Sequence, residues 1–217
     1  MDPLRFAIAT VPLGAYLVMI GLANLRRRPM LVTGAGDLAA LGTALTGVAL
    51  IGPISLFRPE GATVQLGDTV WLFLLAFYWL WLALAVMLCR PRLVVYNATS
   101  GEVRAALADT VAKLDPGARW AGDSLFLPGI GVRLHLDNLP WMRNTSLVSS
   151  GGNQDLAGWR RLARGLHRTL RSIDSPPNPR AGVMVGSGGT LITLAVWRMV
   201  NEAPAVAIAW KEVFAFG

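Results

Sequence analysis

The sequence predicts an α-helical integral membrane protein of about four transmembrane helices, with a small α+β cytoplasmic domain of β-α-β-β-β-α order inserted between helices 3 and 4. Composition is the first ground for this. Of 217 residues, 53% are hydrophobic and only 15% are charged, and the mean hydropathy is +0.48, a balance that points to a membrane protein. The second ground is a recurrence of uncharged runs of about twenty residues, each long enough to cross a hydrocarbon core about 30 Å thick. The third is the position of the arginines, which cluster at particular ends of those runs.

The first span covers residues 6–25, the run "FAIATVPLGAYLVMIGLANL" between Arg5 and Arg26. A single Arg precedes it, it is long, and no small-residue cleavage site follows, so it is expected to stay attached. The second covers residues 34–57 and contains one charge, Asp37. The third, residues 69–89, carries Trp71, Tyr78, Trp79 and Trp81 and is the least ambiguous. The fourth, about 181–197, stops at Arg198 and is short, which calls for a thin bilayer or a snorkelling Arg198. Residues 1–90 thus form a membrane region, 91–175 a cytoplasmic domain, and 176–217 a Pro-rich linker, the fourth helix and a tail expected at the interface. Arginines concentrate on cytoplasmic flanks, so Arg26, Arg27, Arg28, Arg90 and Arg92 predict both termini outside and the middle domain inside a cell (inner or plasma) membrane.

Within the domain, "LVVYN" (93–97) reads as a buried strand. Thr99 and Glu102 have capping-box spacing, ahead of a helix whose Val103, Leu107, Val111 and Leu114 share one face. "SLFLP" and "GVRLHLD" are joined by Pro128-Gly129-Ile130-Gly131, a hairpin signal, and "TSLVSS" offers a further strand. A last helix begins near Asp155, with Leu156, Trp159, Ala163, Leu166, Leu170 and Ile173 spaced by three and four.

Several motifs test for chemistry. One cysteine, Cys89, excludes an intrachain disulfide, and two histidines leave little for a metal centre, so no cofactor or metal is expected. Thr33-Gly34-Ala35-Gly36 resembles a dinucleotide turn, but neither a second strand nor an acid about 20 positions on follows it. The small residues fit helix packing better. Ala35, Ala39, Thr43 and Gly47 repeat every fourth residue, as do Gly182, Gly186 and Thr190 in the last span, and such faces let helix backbones approach. "GDSL" at 122–125 has the letters of a serine-esterase nucleophile block. Neither His135 nor His167 has the Asp three residues before it that such enzymes need, so Ser124 is expected in a turn before a strand. His135 and His167 are expected at the surface. Asp37 is a candidate intramembrane or interfacial acid, read as the N-cap of the second span, with a proton- or ion-handling role as the alternative.

The remaining feature is a basic face on the last domain helix, Arg160, Arg161, Arg164, Arg168 and Arg171. It is a candidate surface for anionic lipid headgroups or an acidic protein partner. No nucleic-acid motif or aromatic stacking platform accompanies it, and residues 90–180 hold thirteen Lys/Arg against seven Asp/Glu, a modest excess. The expected function is therefore a non-catalytic docking or scaffolding protein whose cytoplasmic domain contacts a protein partner or the inner leaflet, with homo-oligomers through the small-residue faces as a further option. The alternatives are a small transport or channel subunit using Asp37, which requires a polar cavity between helices, and a membrane enzyme, which requires a cleft of converging polar groups.

Overall fold

A computed structural model describes residues 2–54, 69–204 and 206–207. The chain order is α1 (Pro3–Leu25), β1 (Met30–Thr33), α2 (Gly34–Ala49), a π-helical turn (Leu50–Ile54), α3 (Val70–Leu88), β2 (Arg92–Tyr96), α4 (Ser100–Leu114), β3 (Arg119–Ala121), β4 (Ser124–Leu127), β5 (Val132–Leu139), β6 (Asn144–Ser149), α5 (Leu156–Leu170) and α6 (Ala181–Asn201). Four helices are long and apolar enough to span a membrane. The last of them runs past Arg198 to Asn201, giving 21 residues where about 17 were expected. At about 1.5 Å per residue that length needs no thin bilayer. The loop at 55–68, the last residues of the second span and most of the tail lie outside the described residues.

The chain divides into two compact units. One comprises Met1–Met19, Ala39–Met87 and Met184–Gly217, the bodies of the four long helices. Its buried side chains are mostly small, among them Ala7, Ala9, Ala44 and Ala195, while Phe73, Phe77, Trp81, Leu84 and Trp197 point outward. This is the distribution expected where the surroundings are as apolar as the interior and helices associate by close approach. The approaches are made at glycines. A Cβ on Gly14 would stand 2.9 Å from the Gly188 carbonyl oxygen, joining α1 to α6. One on Gly47 would strike the Ile8 carbonyl, joining α2 to α1, at a turn where Pro12 has no N–H to give that carbonyl. Gly42 meets Leu82, and its carbonyl accepts the Tyr78 hydroxyl at 2.6 Å, joining α2 to α3. Thr43, Thr46 and Thr190 return their hydroxyls to carbonyls of their own helices, which pairs these three donors in an apolar setting. At the end of α6, Arg198 lies over the Phe6 ring at 5.4 Å and pairs with Glu202 at 3.2 Å.

The second unit comprises Ile20–Leu38 and Leu88–Val183. Its centre is a six-stranded antiparallel sheet of order β1-β2-β6-β5-β4-β3. Alternation along β5 puts Val132, Leu134 and Leu136 inside and Arg133, His135 and Asp137 outside, and the inner residues pack with Leu93, Val95, Leu125, Leu127 and Leu147 beneath α4 and α5. The capping box forms as spaced: Thr99 Oγ1 accepts the Glu102 N–H, and Glu102 Oε2 accepts the Thr99 N–H at 2.7 Å. The β4–β5 hairpin turns through Pro128–Ile130 and Gly131, whose φ of 62° lies in the left-handed region that glycine tolerates.

Two strands add to the expected order. β3 is short, and β1 consists of Met30–Thr33, an apolar tetrad beside a small-residue helix that hydropathy merges with the second span. β1 pairs with β2 in register Met30↔Tyr96 to Thr33↔Leu93. The α+β unit is therefore not confined to 91–175. It takes in the connection between α1 and α2 and the linker before α6 as well.

Candidate functional site

The basic face lies on α5, whose Trp159, Leu162, Leu166 and Leu170 are buried and whose Asp155 caps the amino end by accepting the Ala157 N–H at 2.8 Å. Gly158 fits against the Ile130 carbonyl where a Cβ could not, which holds the helix down on the hairpin turn. The opposite side of the helix then presents Arg160, Arg161, Arg164, Arg168 and Arg171, all exposed. Four acids of the unit are committed elsewhere. Glu102 meets Arg143, Asp109 meets Lys113, Asp123 meets Arg104, and Asp115 accepts the backbone N–H groups of Gly117 and Gly129. Among the described residues, none of the five α5 arginines forms an ion pair.

One flank of this face borders a groove of about 320 Å³. Leu31, Thr33 and Leu93 line it from the sheet, and Ala163, Arg164, His167 and Arg168 line it from α5. Its floor is apolar and its rim cationic. Position along the chain gives this edge of the sheet its significance. The segment after α1 leads into β1, Thr33 leads directly into α2, and α3 leads into β2. The approach to α6 is tied to the same edge, because the Asn178 N–H donates to the Asn24 carbonyl at 3.0 Å and the Ser175 N–H to the Arg27 carbonyl at 2.8 Å. The chain segments that connect to the four long helices thus belong to the β1–β2 end of the sheet.

Asp37 lies at this edge too. The cap of α2 is Thr33, whose Oγ1 accepts the Gly36 N–H at 3.2 Å, and the helix begins at Gly34, so Asp37 is one turn inside and not the N-cap. Thr33 takes that role because β1 delivers it in extended backbone to the helix start. The Asp37 carboxylate accepts from Arg92 Nη2 at 3.0 Å and from the Tyr96 hydroxyl. With its side chain 19% exposed and that of Arg92 38% exposed, the acid binds strand β2 to the start of α2.

A second polar cluster surrounds Arg143, which has a left-handed φ of 52° between β5 and β6. Its Nη2 donates to Glu102 and, at 2.8 Å, to Ser175 Oγ, which in turn donates to the Asn97 carbonyl at 2.8 Å. Asn97 Nδ2 donates to the Arg26 carbonyl at 2.7 Å, and Asn178 Nδ2 to the Met142 carbonyl at 2.8 Å. Asn24, Asn97, Ser175 and Asn178 are almost fully buried. The last carbonyls of a helix have no partner within it, and here the end of α1 and the residues after it receive theirs from the linker and from Asn97.

The other sequence candidates resolve as follows. Ser124 stands in β4 directly opposite His135 in β5, with Oγ 3.1 Å from Nδ1. Ser124 is therefore inside a strand, not in the turn before it. The pair lies on the outer sheet face, where His135 is exposed and Arg133 stacks on Phe126 at 4.5 Å. A hollow of about 520 Å³ nearby is lined by Phe126, Arg133 and Asn153 without converging acids or bases. His167 is exposed on the groove rim. Among the described residues no group of His, Cys, Asp and Glu is placed to hold a metal ion. Of the small residues, Gly47 is buried against α1, Ala35 and Ala39 are half-buried, and Thr43 and Thr190 are exposed. A Cβ on Gly182 or Gly186 would meet no described atom within 4 Å, and the close approach on that helix falls at Gly188.

Sequence reasoning missed Arg92 and Tyr96 as partners of Asp37, β1 as a groove wall, and the Arg143 cluster. Asn24 was the one available signal for the last of these, as an amide at the end of an apolar run. No family model matches the chain, and no curated protein or solved structure matches it.

Proposed function

We propose that this is a multi-pass membrane protein with a non-catalytic docking role, in which the cytoplasmic α+β unit engages the acidic headgroups of the inner leaflet through the arginine face of α5. The observation that carries the reading is the set of five exposed α5 arginines without carboxylate partners among the described residues. The reading is supported by the position of α5, since Arg164 and Arg168 border the β1–β2 edge, whose strands connect in sequence to α2 and α3. Each cation near an anionic leaflet contributes about 1 kcal/mol. A transport role through Asp37 has less support, because that carboxylate is engaged by Arg92 and Tyr96. In this reading the sheet is cytoplasmic and both termini are outside, an orientation supported by the arginines at 26–28, 90 and 92.

The test is amide hydrogen exchange on the full-length protein in nanodiscs of neutral or acidic lipid. Amides across 156–170 should exchange more slowly over acidic lipid, and the difference should shrink as the Debye length falls from about 10 Å at 0.1 M salt to about 3 Å at 1 M. The combined Arg160, Arg164, Arg168 and Arg171→Gln variant should lose it. Equal exchange in both lipids refutes the reading.

A further inference from the structure

We infer that the groove between β1 and α5 is a binding site for one anionic phospholipid, its phosphate held by Arg164 and Arg168 and its glycerol end lying on Leu31, Leu93 and Ala163. The inference rests on the leaflet-docking reading and narrows it from a diffuse face to a single site. Its basis is a coincidence of two chemistries in one place. Arg160, Arg161 and Arg171 are cations on an open helix surface, whereas Arg164 and Arg168 flank a depression of about 320 Å³ with an apolar floor. A floor of that kind is wasted on a hydrated inorganic anion and suits a ligand that carries carbon next to its charge. Among the described residues neither arginine has a carboxylate partner, so a phosphate there displaces no ion pair.

The size and location of the groove select the occupant. Small-molecule pockets run from about 300 to 1,000 Å³, and this groove lies at the bottom of that range, so it accepts a headgroup and the first carbons but not the acyl chains. Those chains need an apolar medium close by. Thr33, on the groove wall, caps α2 through the Gly36 N–H at 3.2 Å, so the wall is continuous with the first turn of a helix long and apolar enough to span a membrane. A lipid can therefore seat its headgroup end without withdrawing its tails from the bilayer. An acidic protein segment would satisfy the arginines but has no comparable reason to occur at a helix entry.

The experiment is native mass spectrometry of the full-length protein released from mild detergent after titration with phosphatidylglycerol, phosphatidylcholine or inorganic phosphate. One phosphatidylglycerol per chain should be retained in preference to phosphatidylcholine. Arg164→Gln with Arg168→Gln should weaken retention about thirtyfold, equivalent to about 2 kcal/mol. Arg160→Gln with Arg161→Gln removes the same charge from the same helix outside the groove and should leave retention within about twofold. Because all four arginines are exposed, both variants should fold, and matching thermal unfolding midpoints establish that. Equal losses in the two variants overturn the single site while leaving the slow α5 exchange over acidic lipid intact, which separates this failure from failure of the docking reading. Retention of phosphatidylcholine as strong as that of phosphatidylglycerol, displacement by millimolar phosphate, or an acidic protein found protecting Arg164 and Arg168 in place of lipid overturns it as well.

Discussion

Two glycines two residues apart on α6 offer a direct measurement of what holds the long helices together. A methyl group added at Gly188 would lie 2.5 Å from the Gly14 carbonyl oxygen and 3.0 Å from the Val18 nitrogen. Both are backbone atoms of α1, which cannot swing aside as a side chain would, so α1 and α6 must separate. The same methyl at Gly186 meets no described atom within 4 Å. Both substitutions gain the intrinsic helix preference of alanine over glycine, about 1 kcal/mol. Only Gly188→Ala also suffers overpacking, at about 1–3 kcal/mol, so the two variants should differ by that amount. In a chain of this size a difference of 1 kcal/mol moves the unfolding midpoint by about 2–4 °C. Thermal unfolding of full-length protein in mild detergent, followed by circular dichroism, should show Gly186→Ala at or above the parent and Gly188→Ala several degrees below Gly186→Ala. Gly14→Ala should behave like Gly188→Ala, since its added Cβ would be 2.9 Å from the Gly188 oxygen. Combining the two should cost less than the sum, because the first separation relieves the second clash. Equal midpoints for Gly186→Ala and Gly188→Ala would refute the claim that α1 and α6 associate through these backbones.

The α+β unit gives four further expectations. Thr33→Ala should destabilise the full chain by about 1 kcal/mol through loss of the α2 cap. Asp37→Asn should cost about 1–2 kcal/mol, because the Asn oxygen still accepts from Tyr96 while its amide nitrogen faces Arg92 in a half-buried pair; thermal unfolding of the two variants compares them. Arg143→Met should cost about 1–3 kcal/mol by leaving buried polar groups with fewer partners, and the Ser175 amide, bonded to the Arg27 carbonyl, should exchange faster with solvent. A fragment of residues 92–175 lacks β1 and should aggregate or lose protection along β2, whereas the same fragment with residues 29–34 joined at its start by a flexible linker should recover a monodisperse peak on size exclusion.

The long helices are legible in the sequence because a membrane span needs only length and apolarity, and residues 6–25 and 69–89 supply both without interruption. α4 and α5 are legible for a different reason. Thr99 and Glu102 state where one begins, Asp155 where the other does, and each then repeats its apolar positions at three and four. β1 was hidden because Met30, Leu31 and Val32 are apolar and border an apolar helix, so hydropathy registers no boundary. Only Thr33, with the small residues after it, marks the change from extended to helical backbone, and a threonine beside glycines is equally at home in a span. The Gly188 approach was hidden by the same lack of contrast. α6 carries Gly182, Gly186, Gly188 and Gly189, and spacing alone cannot say which of them faces a neighbour.

The buried amides follow from the same geometry. A helix that ends only four residues short of the start of β1 has little chain in which to satisfy its last carbonyls. Asn178 and Ser175 supply backbone N–H groups to Asn24 and Arg27, and Asn97 supplies its side-chain amide to Arg26. The supply depends on strand β2 ending at Asn97, whose φ of 54° turns the chain back toward that helix end. The Pro-rich stretch before α6 is consequently no free spacer. It caps α1, and Pro176, Pro177 and Pro179 limit the conformations it must give up to do so. A linker fixed in this way is part of the α+β unit and not a free tether.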